Sequence, residues 1–119
     1  MLIDEFRDYC LSKKGVTESM PFDLHTLVFK VGSKMFALAS LDQIPLRINL
    51  KCNPDRALQL REEFSDLVLP GYHMNKRHWN TVVVQSSNPR DWYLELIDHS
   101  YALVYKTLTL KQRQDLESC

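Results

Sequence analysis

Apolar and polar positions change period along the chain, and the changes divide it into elements. Over residues 3–13, Ile3, Phe6, Cys10 and Leu11 recur at helical spacing while Asp4, Glu5, Arg7 and Asp8 fall between them. Gly15 stops that helix, because glycine readily takes the left-handed conformation that ends one. The period then shortens. TLVFKVG (26–32) and KMFALAS (34–40) are rich in β-branched and aromatic residues, and the Gly32–Ser33 pair between them predicts a tight hairpin. In LRINLK (46–51) alternation puts Leu46, Ile48 and Leu50 on a buried face and Arg47, Asn49 and Lys51 on a wet one.

Helical spacing returns at Asn53–Pro54, with asparagine as the cap and proline at the first helical position. The PDRALQLREEF segment predicts a helix with Ala57, Leu58 and Leu60 near the core. A short extended piece, SDLVLPG, precedes a polar loop and a strand, WNTVVVQ (79–85). Asn88–Pro89 opens a last long helix in the same way, with Trp92, Leu96, Ile97, Tyr101 and Val104 as its apolar stripe and Asp91 in its first turn. From Thr109 the chain turns polar, with a capping-box start at Thr109 and Gln112. The order is helix, strands, helix, strands, helix. Hairpin-length connections make the fold α+β, a mostly antiparallel sheet with helices on one face. Residues 1–107 form the single domain and 108–119 a polar C-terminal tail or short helix.

Composition narrows this picture modestly. At 119 residues the chain fits one domain with its own core. No apolar run approaches the roughly 20 residues needed to span a bilayer. The N-terminus, MLIDEFRDYC, lacks the basic-then-apolar layout of a signal peptide, so a cytoplasmic protein without a membrane partner is expected. Fifteen basic and fifteen acidic residues give zero formal net charge, which weighs against strong nonspecific binding to nucleic acid but allows a local basic patch. Cys10, Cys52 and Cys119 are far apart and odd in number, as free thiols in a reducing compartment are. Cys119, at the terminus, is expected to be mobile and open to oxidation in vitro.

Candidate chemistry concentrates in PGYHMNKRHWN (70–80). Lys76, Arg77 and His78 form a compact basic cluster with His73 nearby, and histidine takes up a proton readily beside a phosphate. Tyr72 and Trp79 are placed to stack on bases or clamp a sugar. Arg47 and Lys51 on their wet strand face, with Lys30 and Lys34 around the hairpin, extend the patch if the fold brings them together. The structural alternative stays open. Trp79 begins an apolar strand, Asn75 and Asn80 suit loop backbone groups, and His99 beside an apolar stripe suits a packed, hydrogen-bonded role. A pocket beneath the loop, lined by Tyr72, His73, His78 and Trp79, is a further possibility with no ligand indicated.

Other chemistries find little purchase. The chain has no GxSxG, no HExxH and no glycine-rich phosphate loop, and it holds three glycines in all. His73 and His78 are five apart, and His25, His99 and Cys52 are scattered, unlike the close ligand pairs of zinc sites. A non-enzymatic protein without metal or cofactor is the expectation.

Four strings carry a resemblance: TLVFKVGSKMFAL (26–38), LRINLKCNPDRALQLREEF (46–64), PGYHMNKRHWNTV (70–82) and LIDHSYALV (96–104). Together, from about residue 2 to residue 107, they resemble the MmcQ/YjbR family. The resemblance implies a CyaY-like, type III secretion chaperone-like fold. It also implies DNA binding through a "double wing" of strands and no enzymatic activity. The reading is a DNA-binding protein that contacts backbone phosphates through a basic patch. The alternative is a protein-interaction or chaperone-like module using the sheet face, as a monomer or homodimer.

Overall fold

The computed structural model describes residues 1–117, and Cys119 lies outside the described residues. Among these the elements run α1 (Ile3–Leu11), β1 (Val16–Ser19), β2 (Thr26–Val31), β3 (Lys34–Ser40), β4 (Arg47–Lys51), α2 (Pro54–Glu63), β5 (Val68–Pro70), β6 (Trp79–Val83), α3 (Arg90–Tyr105) and α4 (Leu110–Glu117). The strands form one antiparallel sheet in the order β1-β2-β3-β4-β6-β5. Every helix contributes to a single core on one face of that sheet, through Phe6 and Cys10, Ala57 and Leu60, Tyr93, Leu96 and Ile97, and Leu116. The α+β architecture is the one the periodicity predicts. No helix among the described residues is long and apolar enough to cross a membrane.

Local chemistry explains most boundaries. Gly32 takes φ +61° at the first central position of the β2–β3 turn, where a side chain would be strained, and Val31 pairs with Lys34 around it. Asn53 caps α2, its Oδ1 accepting the N–H groups of Asp55 at 3.0 Å and Arg56 at 3.3 Å. Thr109 and Gln112 close a reciprocal capping box at α4, at 2.8 and 3.1 Å. Leu108, just before it, is buried in the core.

Three details depart from the sequence reading. Leu58 is 61% exposed, because the buried stripe of α2 runs through Ala57 and Leu60 to the half-buried Phe64 and leaves Leu58 outside. Asn88 does not cap α3. Pro89 occupies the cap position without a side-chain bond, and Asn88 Nδ2 has no partner among the described residues. Strand β1, too short to show a period, pairs with β2 from Val16↔Val31 to Ser19↔Val28.

The stretch DHSY in α3 is a staple that reaches four separate parts of the fold. Asp98 accepts from Tyr9 Oη at 2.6 Å and from Lys13 Nζ at 2.5 Å, holding α1; this contact and burial push the Tyr9 hydroxyl up to about 12. His99 Nε2 accepts the N–H of Asn53 at 3.2 Å, at the start of α2. Ser100 sits beneath a β-bulge: β2 and β3 change register between Phe29 and Lys30, which leaves Phe36 as the extra residue. Ser100 Oγ donates to the Phe36 carbonyl and accepts the Lys51 N–H at 2.9 Å, so both buried backbone groups are satisfied. Tyr101 Oη donates to the Lys14 carbonyl at 2.6 Å.

Candidate nucleic-acid interface

With the helices on one face, the connection between β5 and β6 is what packs, among the described residues, on the apolar side chains of the other face. Side chains of paired residues share a face, so the register defines three rows across this open side. The first holds Thr17, Lys30 and Met35 and is continued past the bulge at Phe36 by the Lys51–Trp79 pair, Met35 and Trp79 sharing one apolar cluster. The second holds Ser19, Val28, Leu38, Asn49, Thr81 and Leu69, and the third Thr26, Ser40, Arg47 and Val83. Lys30, Arg47 and Lys51 are the charges in these rows, and no carboxylate is among them. Glu18, the acid in β1, pairs with Phe29 toward the helices and binds Arg7 at 2.5 Å.

Residues 70–80 fold over the first two rows. Met74 packs with Met35 against a second apolar cluster of Val28, Leu38 and Trp79, filling the space beneath the loop. Trp79, considered for stacking, is only 8% exposed and belongs to this cluster, as a tryptophan opening an apolar strand should. Gly71 is required by close approach, since a Cβ there would lie 2.8 Å from both Cβ and O of Trp79. Gly71 N–H donates to Trp79 O at 3.0 Å, and Asn75 Oδ1 accepts the Arg77 N–H at 2.9 Å. Tyr72 N–H donates to Thr81 Oγ1 at 2.9 Å, and Thr81 in turn donates to Asn49 Oδ1 at 2.5 Å.

A residue absent from the sequence-based set holds the loop from the helix side. Arg61 of α2 donates through Nε to Asn80 Oδ1 at 2.6 Å, and through Nη2 to the carbonyls of Lys76 and of Trp79, the latter at 3.2 Å. A charged fork satisfying two carbonyls and a buried amide is worth more than a neutral contact. Arg61 reads in sequence as a solvated helix residue, and only the chain reversal after α2 puts the loop within its reach.

After these roles are assigned, Tyr72, His73, Lys76 and Arg77 remain as exposed side chains, with His78 half-buried. Tyr72 is 69% exposed and lies against His73, ring centroids 4.0 Å apart. His73 takes φ +58°, an uncommon conformation for a residue with a side chain. Lys76 Nζ reaches back to the Gly71 carbonyl at 3.3 Å.

The structure therefore brings together part of the expected patch. Lys51 is paired with Trp79, directly beside Lys76–His78, and Lys30 lies in the same row. Arg47 stands four residues along β4, about 13 Å away at ~3.3 Å per residue, at the opposite end of the face. Lys34 turns to the helix side, where its Nζ donates to the Thr107 carbonyl and hydroxyl at 3.1 Å. The loop acids Asp23, Asp42 and Asp66 all belong to connections at the Arg47 end. Exposed apolar side chains also collect there, on Met20, Phe22, Leu24, Leu41 and Ile44, whereas the apolar residues of the sheet face are covered. No group of three His, Cys, Asp or Glu among the described residues is placed to hold a metal. Cys10 and Cys52 are free and buried, and burial pushes the Cys10 thiol up to about 12.

The YjbR family model matches residues 11–103. The Escherichia coli K12 protein YjbR is 33% identical over 114 residues, 96% of each chain. A crystal structure of a Deinococcus radiodurans protein with a DUF419 domain superposes with a TM-score of 0.90 at 40% identity, over 97% of this chain and 87% of that one. A Pseudomonas syringae protein gives a TM-score of 0.73 at 26% identity, over 87% of this chain and 99% of its own. These matches span the sheet, the loop across it and the α3 staple: the chain belongs to the YjbR family.

Proposed function

We propose that this protein is a non-enzymatic DNA-binding module, contacting backbone phosphates with the Lys51 end of its open sheet face. The observation that carries this reading is a group of cations with no carboxylate beside it. Arg7, Lys13, Arg56 and Arg90 are each bound to a carboxylate, away from the open face. Among the described residues Lys30, Lys51, Lys76 and Arg77 enter no ion pair, and no acid shares their row or loop. A cation already matched to a carboxylate gains little from a phosphate, whereas an unmatched one gains the release of condensed counterions.

The test is an electrophoretic mobility shift with DNA at low salt, repeated across salt concentrations. About four phosphate contacts give a slope of log K against log salt near −4, at ~0.9 per contact. Replacing Lys76 and Arg77 together by alanine lowers the affinity and reduces the slope by about 2. Identical behaviour of the two proteins, or no shift at high protein concentration, sinks the reading.

A further inference from the structure

The loop offers more than charge, because it also holds an aromatic ring in solvent that the fold itself does not bury. Tyr72 keeps 69% of its surface in water while its backbone N–H is pinned to Thr81 and its ring rests against His73 at 4.0 Å. A tyrosine immobilised in this way loses little further freedom when a flat partner lands on it. Building on the nucleic-acid reading, we propose that the form bound at this end is single-stranded. One unpaired base stacks on the exposed Tyr72 ring, which His73 braces at an interplanar angle of 49°, with the flanking phosphates on Lys51, Lys76 and Arg77.

The two forms of nucleic acid make different demands on such a surface. In a duplex the base faces are stacked on one another and unavailable to a side-chain ring, and reading it calls for an element that enters a groove about 12 Å wide. The β2–β3 hairpin is the nearest candidate for such an element on this face, and it is tied down. Lys34 Nζ is bonded to Thr107 at 3.1 Å, and a Cβ on Gly32 at the tip would lie 3.1 Å from Leu108 Cδ2. A single strand, in contrast, presents base faces, and an exposed ring beside cations is the pairing by which such strands are held without sequence preference. Trp79 takes no part in this, being buried beneath Met74.

The experiment is fluorescence anisotropy with a labelled oligothymidylate and with a blunt duplex of equal length, at matched low salt. The single strand is expected to bind more tightly. Tyr72→Ala weakens that binding about tenfold with the salt slope unchanged, Tyr72→Phe retains it, and neither changes binding of the duplex. Thermal melting checks that both variants remain folded. If the duplex binds as tightly as the single strand, or if Tyr72→Ala leaves the oligothymidylate unaffected, this inference is overturned. The DNA-binding reading then still stands, provided the Lys76/Arg77 double variant weakens both forms. Absence of binding to either form overturns both.

Discussion

His99 holds its place only as a neutral imidazole. Its Nε2 accepts the N–H of Asn53, the residue that caps α2, and a protonated ring has no lone pair for that bond. Burial lowers its pKa from the usual 6.5, and nearby Arg56 acts in the same direction. In the window below about 6.5 the unfolded chain therefore binds a proton that the folded one refuses, so folding stability falls as pH drops through that window and is complete above it. Urea unfolding at pH 7.5 and pH 5.5 should show a lower midpoint at the acid value, and His99→Gln should flatten this difference. A pH dependence unchanged in the variant argues that His99 does not control it. Sequence alone could read His99 as packed and hydrogen-bonded, because it sits beside an apolar helical stripe. The partner was hidden, since Asn53 comes close where the end of β4 packs beside α3, a contact between segments far apart in the chain. Trp79 was legible in the same way as an apolar strand residue, whereas its cover, Met74 of the folded-back loop, was not.

The β5–β6 connection is an element without regular secondary structure, yet its bonds are as specific as those of a helix. Arg61 is the external support, and removing it leaves buried Asn80 and two carbonyls short of donors. Arg61→Leu should cost on the order of 2 kcal/mol, the range for hydrogen bonds from a charged donor. It should also speed amide exchange of Tyr72 and Trp79, whose N–H groups are bonded within this arrangement. Unchanged exchange at both positions contradicts the supporting role. The elements most legible in the sequence were those with a long period or explicit punctuation: the β2–β3 hairpin, α2 behind Asn53 and the alternating β4. Those that escaped lack either signal. Strand β1 is four residues, VTES, with no apolar alternation. At Asn88–Pro89 the same dipeptide that begins α2 one residue earlier leaves its asparagine unused.

Zero net charge conceals an arrangement that only the assembled molecule displays. Which strand cations share a surface depends on the register between β4 and β6, separated by α2 and β5, and no local pattern encodes it. The composition counted against a polyanion site, yet the field near a surface follows the placement of charge rather than its total. At pH 7 and low salt the protein should be retained on a sulfonate exchanger despite its sequence pI of about 6.9. Replacing Lys51, Lys76 and Arg77 by alanine should move it to the flow-through. Elution of both proteins together indicates that no patch dominates the field. A neutral molecule of this kind also runs a colloidal risk, because little long-range repulsion keeps copies apart. Its sheet answers that risk at its two borders. β1 is four residues long, and β5 is three and ends in Pro70, which has no N–H to offer. A neighbouring copy thus finds almost no backbone ladder to extend, and crowded solutions are protected from fibre-like stacking by outline rather than by charge.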